Sequence, residues 1–312
     1  MSDMEPDKLN IPKCITTVSA DANSRKTFCA CILIGALILS PYSAVAQSSQ
    51  LWRNLFGAQK MGASNWILTL PTPFVTLLML KAENLFSIRK RLFASWALQI
   101  PVSFGVAFFP YRYFTDHKNT HFYFFLASVF CTAFLFAVAQ SSFFSFCSLL
   151  PEQFVKAVPA GMSIAGLLTM LAWLILSSTV EYKRSPLSLL LAFNGIVVVS
   201  MFVCIAAFLY LTRAAFTKKF IAPEKRKIVT FAQLFFVWRK IRLFSLLIGS
   251  LMAINFLFSP TLCFGFKSSA PMFRENWGSI LLLNIAFFSA ASRVLTNCQP
   301  KFFCHLFGEK FI

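Results

Sequence analysis

The chain has 312 residues, of which 57% are hydrophobic and 39 are phenylalanine, with a mean hydropathy of +0.68. Such a composition excludes a soluble domain and defines an all-α, polytopic membrane protein as the expected class. The net charge of +18 would suit nucleic acid, but no basic binding motif accompanies it, so the excess Lys and Arg reads as cytoplasmic loops facing anionic membrane lipid.

In chain order, residues 1–27 form a polar tail of mixed charge with Pro6 and Pro12. Phe28 to Gln47 is the first apolar run. Arg25-Lys26 before it and Ala44-Val45-Ala46 at its end also fit a cleaved secretory signal, but the long preceding tail favours a retained helix. Further runs at about 65–86, 92–111, 122–150, 160–179, 187–211, 242–266 and 279–296 bring the expected spans to eight. Pro71, Pro73, Pro101 and Pro260 sit inside them, where neighbouring helices can satisfy the freed backbone groups.

The basic stretch 213–241, with Lys218-Lys219 and Glu224-Lys225-Arg226-Lys227, divides a six-helix bundle at 28–212 from a partial bundle of two helices and a tail at 242–312. Within it, Phe231 to Trp238 has the composition of an interfacial amphipathic piece. A cytoplasmic N terminus is expected from the basic residues. Of the 29 Lys and Arg, only Arg53, Lys60, Arg112, Lys118, Lys183, Arg184, Lys267 and Arg274 then fall outside, with Arg293 inside a span.

Chemistry-bearing residues are sparse. The nine cysteines are odd in number and scattered through apolar runs, which implies no disulfide framework, and His117, His121 and His305 lack metal-ligand spacing. No cofactor is expected. All eleven Asp and Glu fall in tails, loops or helix ends, so no carboxylate lies in the membrane to relay protons, and no hydrolytic or phosphate-binding constellation is present. The expected activity is therefore uncoupled movement of a neutral or weakly polar solute by alternating access, not an enzyme reaction.

The stretch Phe134 to Ile175 is the most informative. Gln140 lies deep in an apolar run and shares a helical face with Ala133, Ala137, Ser141, Phe144 and Ser148, while Gly161, Ala165 and Thr169 repeat the small-residue device. Two helices are expected to pack together through these faces and enclose the amide as a wall of a solute path. The alternative for Gln140 is a plain interhelical hydrogen bond, worth about 1 kcal/mol. Arg293 is either functional or snorkels to the interface. Asn255 and Asn284 are further mid-helix amides.

Gln140-Ser141-Ser142, Ser148-Leu149-Leu150-Pro151 and Ser163-Ile164-Ala165-Gly166 resemble the fourth and fifth helices of the equilibrative nucleoside transporter family. There Gln-Gly-Ser precedes Gly-Leu-Leu-Pro and a Gly-Leu-Ala-Gly helix. Two family glycines are serines here, and Met162 replaces a glutamine. Ser40-Pro41-Tyr42-Ser43 is similar to the family's Leu-Pro-Trp-Asn, and Ser289 to Arg293 resembles Asp-Trp-Leu-Gly-Arg with the aspartate replaced by Ser289.

The resemblance implies a major-facilitator-like arrangement of two bundles and a nucleoside or nucleobase substrate. It makes Gln140 a contact to the base edge, Tyr42 a stacking residue, and Arg293 with Ser289 the remainder of the substrate site. A serine cannot neutralise the arginine as an aspartate would, which puts purine nucleosides in question. The family has eleven helices where eight are read here, so the alternative expectation is a non-transporting remnant or partner protein. A multi-pass protein of the plasma membrane, or of an intracellular one, is expected in either case.

Overall fold

The computed structural model describes residues 22–82, 86–116, 118–179 and 186–221, with isolated positions between 236 and 250. The described regular structure is entirely helical: α1 (Ala22–Gln47), α2 (Ser49–Phe56), α3 (Ala58–Thr69), α4 (Pro71–Ala82), α5 (Ile88–Asp116), α6 (Asn119–Cys147), α7 (Glu152–Thr179), α8 (Pro186–Arg213) and α9 (Ala215–Phe220). Among the described residues, five helical stretches are long and apolar enough to cross a membrane: Asn23–Arg53, Ile88–Asp116, Asn119–Cys147, Glu152–Ser177 and Ser188–Arg213. The protein is a multi-pass bundle of membrane helices. The two runs expected beyond 242, and most of the basic linker, lie outside the described residues.

The expected run at 65–86 is not one helix. Pro71 and Pro73 carry no N–H, so the carbonyls of Ile67 and Thr69 lose their helical donors and α3 gives way to α4. Leu70 between them keeps helical angles (φ −61°, ψ −40°), and its N–H reaches the Trp66 carbonyl at 2.9 Å. The two 12-residue helices thus form one interrupted leg. The corner before it needs glycine: Gly57 has φ +85° and ψ 163°, a conformation that a Cβ would strain.

Helix α1 is the centre of the bundle, packed along α7 and against α8, α6 and α9. The run 28–47 lies within α1. Its contact with α7 is made backbone to backbone. A Cβ on Gly35 would stand 2.6 Å from the Val158 carbonyl oxygen, and one on Gly161 would come closer still to the Ile32 oxygen. This revises the expectation that the two helices of Phe134–Ile175 pack on each other through small faces. Gly35 on α1 meets Val158 of α7, and Gly161 on the small face of α7 meets Ile32 of α1.

The small face of α6 is used elsewhere. Its Ala137 is fully buried under Val75 and Met79 of α4. Its Ser128 lies against α5, where a Cβ on Gly105 would meet the serine hydroxyl at 2.7 Å.

Two hydrophobic clusters fill the two ends of the bundle. One brings Phe93, Phe146 and Phe208 together near the starts of α1, α5 and α7. The other packs Trp52, Phe56, Phe122 and Phe125 at the opposite end. The antiparallel order places Arg25, Lys26, Arg89, Lys90, Lys156, Arg213, Lys218 and Lys219 at the first end. Such a charge bias accompanies a cytoplasmic face. There α9 docks through Phe216 on Phe154, their ring centroids 5.4 Å apart.

Pro41 inside α1 shows how the bundle repairs a missing donor. The Leu37 carbonyl that would have received the residue 41 N–H accepts from Ser40 Oγ at 2.8 Å. Ser40 Oγ also lies 2.7 Å from Ser200 Oγ of α8, which itself reaches the Val197 carbonyl at 2.7 Å. Each hydroxyl has one proton, so two of these three contacts are hydrogen bonds at any moment.

The glycine contact gives a direct test. Gly161→Ala and Gly35→Ala are expected to lower the thermal midpoint of the detergent-solubilised protein, with a cost of at least about 1–3 kcal/mol from overpacking against unyielding backbone. Gly195→Ala on α8 is the matched control, because a Cβ there meets nothing within 4 Å. Better helix propensity should leave that variant unchanged or up to about 1 kcal/mol more stable.

Candidate functional site

A cavity of about 480 Å³ opens between α4, the start of α5 and α6. Thr72, Thr76 and Met79 line it from one face of α4, one helical turn apart. Gln140, Ser141, Phe144 and Ser145 line it from two successive turns of α6, and Arg91 from the first turns of α5.

The polar groups of this wall differ in how fully they are engaged. Ser141 Oγ donates back to the Ala137 carbonyl at 2.8 Å, and Thr76 Oγ1 to the Thr72 carbonyl at 2.8 Å. Among the described residues, the buried Thr72 hydroxyl has no hydrogen-bond partner. Gln140 is half-buried, and its Nε2 lies 3.9 Å from Met162 Sδ of α7. A thioether is a weak acceptor, so most of the amide's bonding capacity stays available to the cavity.

Arg91 stands just before the run expected from 92, beside Arg89 and Lys90. Those two are exposed, whereas Arg91 is 6% exposed and on the cavity wall. The difference arises because α5 begins at Ile88, earlier than the expected 92. Arg91, Ser95, Gln99 and Ser103 then recur at four-residue spacing on one buried stripe. That polar stripe in an apolar span is the signal that would have found it.

Further along the stripe, Gln99 is 3% exposed and structural. Its Nε2 donates to Ser103 Oγ and to Thr132 Oγ1 of α6, each at 3.3 Å. The two hydroxyls pass their own protons to the carbonyls of Gln99 and Ser128. The network is internal to the α5–α6 seam.

Of the other expected site residues, Tyr42 is half-buried, with its ring 4.9 Å from Phe136 and its hydroxyl bonded to Thr69. It packs between α1, α3 and α6 and does not line the Gln140 cavity. Arg293 and Ser289 lie outside the described residues, as do Asn255 and Asn284. No protein-family model matches the chain and no curated protein is similar to it. Fold and geometry together define the class: a polytopic helical membrane protein with a mostly apolar cavity between its helices, lined also by a few polar side chains.

Engaged and available amides predict different costs. Gln99→Met, nearly isosteric, should destabilise by about 0.6 kcal/mol and by no more than about 1.7 kcal/mol, the range for hydrogen bonds within membrane bundles. Gln140→Met should fall near zero. Chemical denaturation in micelles, read by helical circular dichroism, compares the two.

Proposed function

We propose that the protein is a facilitative transporter, moving a small polar solute of the nucleoside or nucleobase class across its membrane by alternating access. The observation that carries the reading is Gln140, an amide within an apolar span that lines a cavity and whose partner among the described residues is a thioether. A carboxamide offers a donor pair and an acceptor side by side, matching the alternating edge of a base. Beside it, Phe144 supplies an apolar surface for a ring, and the hydroxyls of Thr76 and Ser145 suit a sugar.

The interrupted leg α3–α4 supports the same reading. Its break at Pro71 sits one residue before Thr72 of the cavity wall, and broken helices beside polar cavities recur at transport sites. Helix α4 packs mainly on α6, so its motion disturbs few contacts.

The full chain, expressed in cells lacking nucleoside uptake, should show saturable uptake of radiolabelled adenosine, uridine or hypoxanthine, unaffected by collapse of the proton gradient. Gln140→Ala should lower that uptake about fivefold, the equivalent of one neutral hydrogen bond of about 1 kcal/mol, at unchanged membrane abundance. Parallel losses of uptake and abundance would assign Gln140 to packing. Absence of uptake by folded wild-type protein would refute the transport reading.

A further inference from the structure

Cysteines scattered through apolar runs serve as small apolar fillers, yet the fold brings two of them together. Cys31 lies in α1, one helical turn before Gly35 and its backbone contact with α7, and Cys147 is the last residue of α6. Both are fully buried. Their thiols share a hydrogen bond, one S–H donating to the other sulfur. Phe143, Phe146 and Phe154 belong to the same apolar cluster. Cys204 of α8 is equally buried in that cluster, but among the described residues no thiol stands beside it. Filling apolar space therefore does not by itself account for the pair.

Neighbouring thiols have several chemical fates, and these surroundings select one. A bulky adduct such as a glutathionyl group has no room beside residues at 0% exposure in a close-packed interior. A soft metal ion would need both sulfurs as thiolates and would leave negative charge in an apolar cluster. Among the described residues no group of three or more His, Cys, Asp or Glu gathers to hold such an ion. A disulfide between the two sulfurs adds no atoms and carries no charge.

We infer that Cys31 and Cys147 form a redox-modification site, a dithiol that a hydroperoxide converts to a disulfide between α1 and α6. One sulfur attacks the O–O bond of the peroxide, giving a sulfenic acid and releasing an alcohol. The second sulfur then displaces the sulfenic oxygen as water and closes the S–S bond. The two thiols give up two electrons and two protons, and the peroxide takes them. Cys147 adjoins the turn at 148–151 at the basic end of the bundle, the side that the charge bias makes cytoplasmic and reducing, where the resting pair stays as thiols. The bond ties α1 to the last turn of α6, the helix that supplies Phe144 and Ser145 to the cavity wall. The site is defined by its sulfur chemistry and is independent of the solute that the protein moves.

The test uses the full chain in nanodiscs, treated with graded tert-butyl hydroperoxide, blocked with N-ethylmaleimide in denaturant and digested. Disulfide-linked peptides are then mapped by mass spectrometry with and without dithiothreitol. The peptide pair containing Cys31 and Cys147 should be the dominant link within the chain and should vanish on reduction. Cys31→Ala and Cys147→Ala should each abolish that link, whereas Cys204→Ala, in the same cluster, should leave its yield unchanged. The wild-type map decides the matter by itself if an alanine variant does not fold. Cys31 and Cys147 both remaining thiols at the highest dose that leaves the protein folded, or links spread at equal yield over other cysteines, would overturn the site.

Discussion

The backbone contact between α1 and α7 is the constraint from which the other arrangements follow. In lipid there is no hydrophobic drive between helices, and association depends on how closely backbones approach. Gly35 and Gly161 remove the only atoms that would hold Val158 and Ile32 away. With α7 committed to α1, α6 is left to pack on α5 and α4. Gln140 and Met162, on helices adjacent in sequence, then meet only at the ends of long side chains. The cavity lies on the side of α6 that the interrupted leg covers incompletely.

Buried polar groups in this bundle divide by how completely they are satisfied. Ser40 with Ser200, and Gln99 with Ser103 and Thr132, close their hydrogen bonds within the protein. In a medium without water such closed sets fasten helices and have nothing left to offer a ligand. Around Gln140 the balance is different: among the described residues the amide has a sulfur for a partner, and the buried Thr72 hydroxyl has none. The contrast between Gln99 and Gln140, identical side chains in neighbouring helices, separates fastening from binding more clearly than residue type does.

Much of the helical organisation was legible because length and hydropathy are one-dimensional properties. The spans from Phe28, 92, 122, 160 and 187 all reappear as helices, and Gln140 emerges on a cavity wall as its position in an apolar run suggested. Partners between helices were not legible. The small residues of α6 and α7 announced close packing but not with whom, since that depends on Gly35, some hundred positions away. The proline pair at 71 and 73 was visible, yet its effect depended on whether neighbours would bridge it. Tyr42 matched a motif by position, and only the fold could place it against Phe136 instead of the cavity.

Arg91 shows why charge counting and site finding compete for the same residues. Summed over loops, a cation beside Arg89 and Lys90 is one more mark of orientation. Its contribution changes when the helix begins three residues before it, because the helical phase then fixes which of three consecutive cations turns inward. Arg89 and Lys90 stay exposed, while Arg91 is carried to a wall shared with a neutral amide.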